Sequence, residues 1–396
     1  MDKDEAFNII EALRFGKPPD GHVRYFTVGR EEEINRLMYR LTNRIRGPLL
    51  LKANWGAGKS HLLRLVKETA LEQGFLVSYV QCDKEGERFN RLDRIFGAVC
   101  RGIVLPQESK SEGIRAFFNY ICNFIREENP NSDFWRNITD NGGWSISDAL
   151  TSYACYLALR AWYFGSLQVH NIIEDWFFHP EKYRTARKDL YNNLVRNFSS
   201  RFRDSMPEWQ YYDVSAGIFD FQSQDYRQCW AGLTDLLLLS LESRLKGFVI
   251  LFDEFEDQID KLKNIKFQEK AFLNLFEFYK AKKFEGMTFF AVTPDFSYNC
   301  QKLLLMKGRF EFPRNQFKKL PTFEMSQLEY THLAELANKI IDTHATAFEW
   351  NPRQKITNTE LTKKISDLAS APIPDRTRHF ITEFTKYLDE TYDGRH

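Results

Sequence analysis

This chain of 396 residues has few cysteines and a formal net charge of only +1. Its six cysteines include no C-x-x-C pair, which argues against a disulfide scaffold or a zinc site and fits a reducing compartment. The 55 Lys and Arg residues balance 54 Asp and Glu residues, so any contact with DNA would have to come from a local patch. No apolar run approaches the ~20 residues that cross a bilayer, and the acidic, amphipathic N-terminus is unlike a signal peptide. We therefore expect a cytoplasmic protein without a membrane partner.

Short apolar runs recur between segments of helical spacing, at 48–52, 75–82, 248–252, 287–293 and 316–323. Runs of this kind, joined by helices, are typical of parallel strands that are buried on both faces of a sheet. The sequence therefore predicts an α/β fold with a parallel-sheet core.

The predicted core is discontinuous in the sequence. Residues 1–91 would form its N-terminal part and residues 247–324 its C-terminal part. The residues between them, 92–246, have helical spacing and many aromatic side chains, which predicts a mainly helical insertion. Residues 325–396 contain helical segments separated by prolines and are predicted to form a helical lid domain.

The segment ANWGAGKS, which begins at Ala53, matches the phosphate-binding P-loop except that alanine replaces the first glycine. Gly56 and Gly58 would let the backbone N–H groups face the phosphates, at the positive end of the following helix. Lys59 would reach the β- and γ-phosphates, and the Ser60 hydroxyl would bind Mg²⁺. A G-x-G-K-S at a helix start also occurs by chance in ordinary proteins. The nucleotide-binding residues predicted here are Trp55, Gly56, Ala57, Gly58, Lys59, Ser60 and His61.

A second pattern is the buried run FVILF followed by Asp253 and Glu254. An isolated Asp-Glu pair is usually a solvated turn, but at the end of a strand beside the P-loop these side chains would face the nucleotide. Asp253 would then hold Mg²⁺, and Glu254 would polarise the attacking water as the general base. Thr293, after the run FFAV, would position the γ-phosphate or the water, or would simply cap the strand before Pro294. Together the three patterns predict that the chain binds ATP or GTP.

With these pieces placed, the chain resembles the AAA-like branch of P-loop ATPases and, within it, the ATP-binding proteins of bacteriophage-exclusion (BREX) defence systems. The segments that carry the resemblance are IEALRFGKPP at 10–19, VGRE at 28–31, WGAGKSHLLRL at 55–65 and GFLVSYV at 74–80. The resemblance implies a P-loop NTPase core, with ATP and Mg²⁺ as cofactors. It also implies that Val28, Gly29 and Arg30 lie beside the adenine, although their spacing alone indicates only the start of a helix.

Two arginines acquire candidate roles from the same resemblance. Arg309 matches the arginine finger that reaches the γ-phosphate in a neighbouring subunit, and the alternative is an ordinary surface arginine. Arg378 resembles the lid arginine that senses the γ-phosphate in its own subunit. Arg376 competes for that role, and either side chain could instead pair with carboxylates.

The insertion contains a basic segment, 182–203, with interleaved aromatic side chains. This composition is compatible with binding along a phosphate backbone, although a solvated helix face is the commoner explanation.

These patterns lead to a functional hypothesis with alternatives. The first is an oligomeric, Mg²⁺-dependent ATP hydrolase that remodels or moves along double-stranded DNA or a partner protein, together with other proteins of an antiphage defence system. The second is an ATP-gated switch or scaffold that binds nucleotide with little turnover and recruits partner proteins. A nuclease with a regulatory P-loop ranks last, because the sequence has no further cluster of metal-ligating carboxylates or histidines.

Overall fold

The computed structural model describes residues 1–82, 88–106, 112–128, 132–139, 150–183, 220–256, 262–371 and 376–393. The basic segment predicted at 182–203 lies outside these residues from position 184 onward.

One six-stranded sheet organises the chain. Its strands are β1 (Gly47–Lys52), β2 (Leu76–Gln81), β3 (Ile103–Val104), β4 (Phe248–Asp253), β5 (Met287–Val292) and β6 (Thr322–Glu324). They lie in the order β3-β2-β4-β5-β1-β6, and every neighbouring pair is parallel except β2 with β3. The predicted α/β class and largely parallel sheet are confirmed.

The prediction was wrong at the last strand. A 3₁₀-helix occupies Arg314–Lys319, and β6 is only three residues long. The sequence RNQFKK buries only Phe317, so its polar side chains stay at the surface instead of entering a sheet. The two-residue strand β3 was not predicted, because it is too short to show a period.

Helices surround the sheet. In the first part of the chain they are α1 (Lys3–Arg14), α2 (Val23–Phe26), α3 (Glu31–Thr42) and α4 (Lys59–Glu72). In the region of the predicted insertion they are α5 (Leu92–Arg101), α6 (Gly113–Glu128), α7 (Asp133–Thr139), α8 (Tyr153–Phe164), α9 (Leu167–Phe178) and α10 (Ser223–Glu242). They continue with α11 (Ile265–Lys280), α12 (Phe296–Met306), α13 (Tyr330–Phe348), α14 (Pro352–Lys355), α15 (Asn358–Ala369) and α16 (Arg376–Tyr392), and a 3₁₀-helix spans Pro180–Lys182. No described helix combines the length and apolar composition that a membrane crossing requires.

Both faces of the sheet are buried, and this explains the continuous apolar run of β4. Val249 and Leu251 pack on one face with side chains of α3 and α4, such as Leu62. Ile250 and Phe252 pack on the other face, in a core that continues into α5 to α12. A strand covered on both sides has no solvent face, so its sequence does not alternate with polar residues.

A separate apolar cluster joins the N-terminal helix to the C-terminal helices. Ile10 and Leu13 of α1 are buried with Leu336 and Ile340 of α13 and with Phe384 of α16. The two ends of the chain therefore form one packed unit beside the sheet, and α1, α13 and α16 form part of the wall of the cavity described below.

Candidate functional site

The G-x-G-K-S segment forms a tight turn between β1 and α4. Gly56 and Gly58 have φ values of +69° and +96°, a left-handed conformation that glycine adopts most easily. Helix α4 begins at Lys59, immediately after Gly58. The unpaired N–H groups and the positive dipole end of α4 are therefore close to this turn, which is an arrangement suited to an anion.

The Lys59 ammonium is buried, with 7% of the residue exposed. It donates hydrogen bonds to the carbonyl oxygens of Ala53 at 3.0 Å and Asn54 at 3.4 Å. Its third neighbour is Glu256, with 3.2 Å between Nζ and Oε1. The Trp55 ring, which is 52% exposed, lies 5.0 Å from Nζ. The ammonium therefore makes two hydrogen bonds to backbone carbonyls and one ion pair.

Asp253 lies at the end of β4, and its carboxylate is held in place from two sides. One oxygen accepts the backbone N–H of Glu254 at 2.9 Å, and the other accepts the Tyr79 hydroxyl at 2.5 Å. Burial and the neighbouring Asp253 raise the pKa of Tyr79, so its hydroxyl remains a donor. Glu254 follows with a φ of +53°, which is uncommon for a residue other than glycine.

Strand β4 is not the immediate neighbour of β1, because β5 lies between them. The expectation of an acidic strand beside the P-loop therefore needs correction. The carboxyl ends of these parallel strands nevertheless share one edge of the sheet, so the acids after β4 still reach the loop after β1.

Glu256 belongs to this site, although sequence reasoning missed it. It is 6% exposed and lines the same cavity as Lys59. Burial raises the pKa of its carboxyl, and the Lys59 ammonium opposes that rise. Glu256 forms an ion pair with Lys59, but neither Glu256 carboxylate oxygen accepts a well-directed hydrogen bond from a described residue. In the sequence, Glu256 is marked only as a third acidic residue that closely follows Asp253 and Glu254.

These residues line a cavity of about 350 Å³ with two distinct ends. The loop end consists of residues 55–60 with Asp253, Glu254 and Glu256. The lid end consists of Gly16, Val28, Leu328, Leu336 and Arg378, together with their neighbours Phe26 and Ile381. The cavity brings together most of the predicted site residues, namely Val28, Arg30, Trp55, Gly56, Ala57, Gly58, Lys59, Ser60, His61, Asp253, Glu254 and Arg378.

Arg30 braces the loop against the C-terminal part of the chain. Its guanidinium pairs with Glu33 at 3.0 Å and donates to the carbonyl oxygens of Ala57 at 3.1 Å and Ser326 at 2.5 Å. It is only 5% exposed, and these contacts point away from a role in binding a base. The neighbouring Gly29 does not line the cavity and instead packs against the His332 ring.

His61 is a neutral ring in the wall of the cavity. Thr27 donates its hydroxyl proton to the Val23 carbonyl at 2.8 Å, so the 2.8 Å contact between Thr27 Oγ1 and His61 Nε2 requires the imidazole to donate. Burial, aided by the charges of Arg30 and Arg64, lowers the pKa of His61 to about 4.

The two candidate lid arginines differ in their contacts. Arg376 donates to the carbonyl oxygens of Leu328 at 2.6 Å and Ala369 at 3.4 Å. Arg378 lines the cavity and packs its stem against Gly16, where an added Cβ would lie 2.7 Å from Arg378 Cγ. Within the described ranges, the Arg378 guanidinium forms neither a hydrogen bond nor an ion pair.

Two predicted catalytic residues, Thr293 and Arg309, do not line the cavity. Thr293 follows β5, and its carbonyl accepts the Phe296 N–H at 3.1 Å in the turn into α12. Arg309 is exposed and forms two bonds with Glu269, at 2.6 and 2.9 Å. The carbonyl of Val292, which precedes Thr293, accepts the Ala53 N–H at 3.2 Å, so the backbone of Thr293 lies beside the start of the loop after β1.

The oxygen atoms at the loop end suit a hard cation. Asp253 and Ser60 offer a carboxylate and a hydroxyl, and each Asp253 oxygen retains acceptor capacity beyond the bond it already makes. Among the described residues, no group of three or more His, Cys, Asp and Glu side chains could hold a metal ion by itself.

Part of the chain matches a known protein family. Residues 1–133 match the family described as BREX system ATP-binding protein BrxC/D. The matched region contains β1, the P-loop and β2, and it ends before β4. No curated protein matches the chain, and no solved structure does.

Proposed function

We propose that this chain is a P-loop NTPase that binds and hydrolyses ATP with Mg²⁺ at the loop end of the cavity. The proposal starts from the resemblance of the first third of the chain to the BREX ATP-binding proteins. The main support is one juxtaposition. The buried Lys59 at the start of α4 and the carboxylates after β4 line the same cavity. These elements lie far apart in the sequence, and a chance G-x-G-K-S would not require them to meet.

The chain would bind the triphosphate mainly through its own backbone. The N–H groups of the loop and the first turn of α4 would surround the phosphates, and Lys59 would approach their oxygens from within the loop. Ser60 and Asp253 would hold the Mg²⁺, and Tyr79 would keep the Asp253 carboxylate oriented. The ion supplies charge neutralisation at the β- and γ-phosphates.

Glu254 is the proposed general base. Its left-handed φ of +53° redirects the chain immediately after β4, and uncommon backbone conformations of this kind are frequent at active sites. The residue lines the cavity, where its carboxylate would polarise the attacking water.

The lid end is the proposed nucleoside site. Phe26, Val28, Leu328 and Leu336 provide apolar surface for a planar base. Arg378 supplies a cation at the same end, which could contact the ribose or the phosphates. The loop end would fix the phosphates and the lid end would fix the nucleoside.

The resemblance extends the proposal to the cellular role. The protein would act in a phage defence system, as a homo-oligomer, on double-stranded DNA or another protein of that system. Arg309 is exposed and does not line the cavity of its own chain, a placement that is compatible with an oligomer. As an arginine finger it would act on a neighbouring subunit.

A second candidate is the ATP-gated switch with little turnover. The contacts of Lys59 favour it, because the ammonium is held by two backbone carbonyl oxygens and by the Glu256 carboxylate of its own chain. ATP would then rearrange the loop end on binding, and hydrolysis need not follow at an appreciable rate.

The test compares ATP hydrolysis by the wild type and by Glu254→Gln, with and without double-stranded DNA, and measures the mass in solution with and without ATP. We expect the wild type to turn over ATP and the variant to bind it with turnover reduced at least ~100-fold, as is usual for loss of a general base. Glu127→Gln, on the exposed face of α6, is the matched control and should behave as wild type. Tight binding without turnover in every condition would favour the switch, and no binding would contradict both candidates.

A further inference from the structure

The Lys59–Glu256 ion pair occupies the position at which a nucleotide phosphate would meet the lysine. Both side chains are buried, and Nζ lies 3.2 Å from Oε1. The ammonium also donates hydrogen bonds to the Ala53 and Asn54 carbonyls. A phosphate that approaches Lys59 therefore competes with these three partners, and Glu256 is the only one of the three that uses a side chain.

The loop end contains more negative than positive side chains. Lys59 is its one cation among the described residues, and it faces three acids, Asp253, Glu254 and Glu256. In spite of the helix dipole, this end is therefore not a simple anion site.

The other cations that line the cavity do not offset this surplus. Arg30 is paired with Glu33, and Arg64 forms an ion pair with Asp20. Arg378 belongs to the lid end, and Lys17 lines the cavity beside Gly16 at the same end.

We propose that Glu256 is a specificity-determining residue that makes the site select ATP complexed with a divalent cation over free ATP. This inference rests on the proposed function. A phosphate that takes Lys59 leaves the Glu256 carboxylate buried beside phosphate oxygens, and like charges in a buried site repel strongly. Free ATP brings only negative charge to this position. ATP with its cation brings a positive charge that offsets the carboxylates, so it can displace Glu256 at lower cost.

The alternative is that the pair only stabilises the fold. A purely structural pair would contribute equally whether or not a ligand is bound, and its loss would not change the choice between free and metal-bound ATP. The location of Glu256 in the cavity wall, without a well-directed hydrogen bond from another described residue, favours the role in selection. The two roles therefore differ in a measurable ratio of affinities.

The experiment measures the Kd of ATP by calorimetry in excess Mg²⁺ and in EDTA, for the wild type, Glu256→Gln and the control Glu127→Gln. The amide keeps the shape of the side chain and removes its charge. We expect free ATP to bind Glu256→Gln at least ~10-fold more tightly than it binds the wild type, a typical coupling between sites. The affinity for ATP with Mg²⁺ should change less, so the ratio of the two Kd values should shrink. The control should keep the wild-type ratio.

An unchanged ratio in a folded Glu256→Gln protein would overturn the inference. So would a loss of both affinities together with a lower thermal midpoint, because that result would assign Glu256 a structural role. The wild type provides a test that needs no variant. Equal affinity of the wild type for ATP in Mg²⁺ and in EDTA would also overturn the inference. If the wild type binds ATP in neither condition, the proposed function itself fails, which is a different result from a failure of the selection by Glu256.

Discussion

The loop end and the lid end of the cavity are built in contrasting ways. The loop end places charged side chains just after β1 and β4, where Lys59 pairs with Glu256 and Asp253 accepts the Tyr79 hydroxyl. The lid end consists of apolar side chains from both ends of the chain, with Arg378 as a cation that has no described partner. The loop end holds charged side chains in a fixed geometry, and the lid end provides an apolar surface for packing. Binding should therefore depend on individual atoms at the loop end and on packing at the lid end.

The largest expected effect is at Lys59. Lys59→Met should weaken ATP binding about 100-fold, the upper range for a lost hydrogen bond to a charged group. It should also lower the free energy of unfolding by about 3 kcal/mol, because Glu256 is left buried without its ion-pair partner. Calorimetry and urea denaturation measure the two effects.

The double variant Lys59→Met/Glu256→Gln separates these contributions. Removing the buried carboxylate should restore most of the stability but not the ATP affinity. Recovery of affinity in the double variant would show that Lys59 serves only to neutralise Glu256, and the contrast between the two ends would then fail.

Gly29 tests how tightly the segment before α3 packs against the C-terminal helices. Gly29 has a φ of +57°, and an added Cβ would lie 2.4 Å from the His332 ring. Gly29→Ala should therefore destabilise the protein by about 2 to 3 kcal/mol, from the backbone conformation and the clash together. Gly21→Ala is the matched control, because Gly21 has a φ of +78° with open space around the new methyl group. Equal unfolding free energies for the two variants would mean that His332 moves aside without cost.

The two lid arginines should separate affinity from stability. Arg378→Ala should weaken ATP binding about 10-fold, as for the loss of one charge-assisted bond, and leave the thermal midpoint unchanged. Arg376→Ala should lower the midpoint with little change in affinity, because it loses its bonds to backbone carbonyls. Titrations with ATP and ADP show whether Arg378 reaches the γ-phosphate. If it does, Arg378→Ala should weaken the binding of ATP more than the binding of ADP. The opposite pattern, with Arg376 controlling affinity, would reverse the assignment.

The contrast between the two ends also explains what the sequence could predict. The G-x-G-K-S segment and the run FVILFDE are local patterns, so Lys59, Ser60, Asp253 and Glu254 could be proposed without a structure. The α/β fold could be predicted from apolar runs such as β4. Helical spacing in the sequence predicts helices at 31–46, 61–73 and 359–370, and these lie within a few residues of α3, α4 and α15.

Contacts between distant segments could not be read in the same way. Glu256 and Tyr79 belong to the site only because β2, β4 and the P-loop meet at one edge of the sheet. The pairing of Gly16 with Arg378 depends on α1 packing against α16. Arg30 resembled a residue of the base pocket, but its bonds to Ala57 and Ser326 depend on a fold that local sequence does not reveal.

Arg309 should have the smallest effect, because it belongs to neither end of the cavity. Its ion pair with Glu269 is exposed, so Arg309→Ala should change neither the stability nor the ATP affinity measurably. Arg46→Ala, which removes another exposed ion pair, is the control. If Arg309 acts on a neighbouring subunit, ATP turnover should fall in Arg309→Ala and not in the control. Mixing Arg309→Ala subunits with Glu254→Gln subunits, which keep Arg309, should then restore turnover. A loss of ATP affinity in the Arg309→Ala subunit would instead place this arginine at its own cavity and contradict the contacts seen in a single chain.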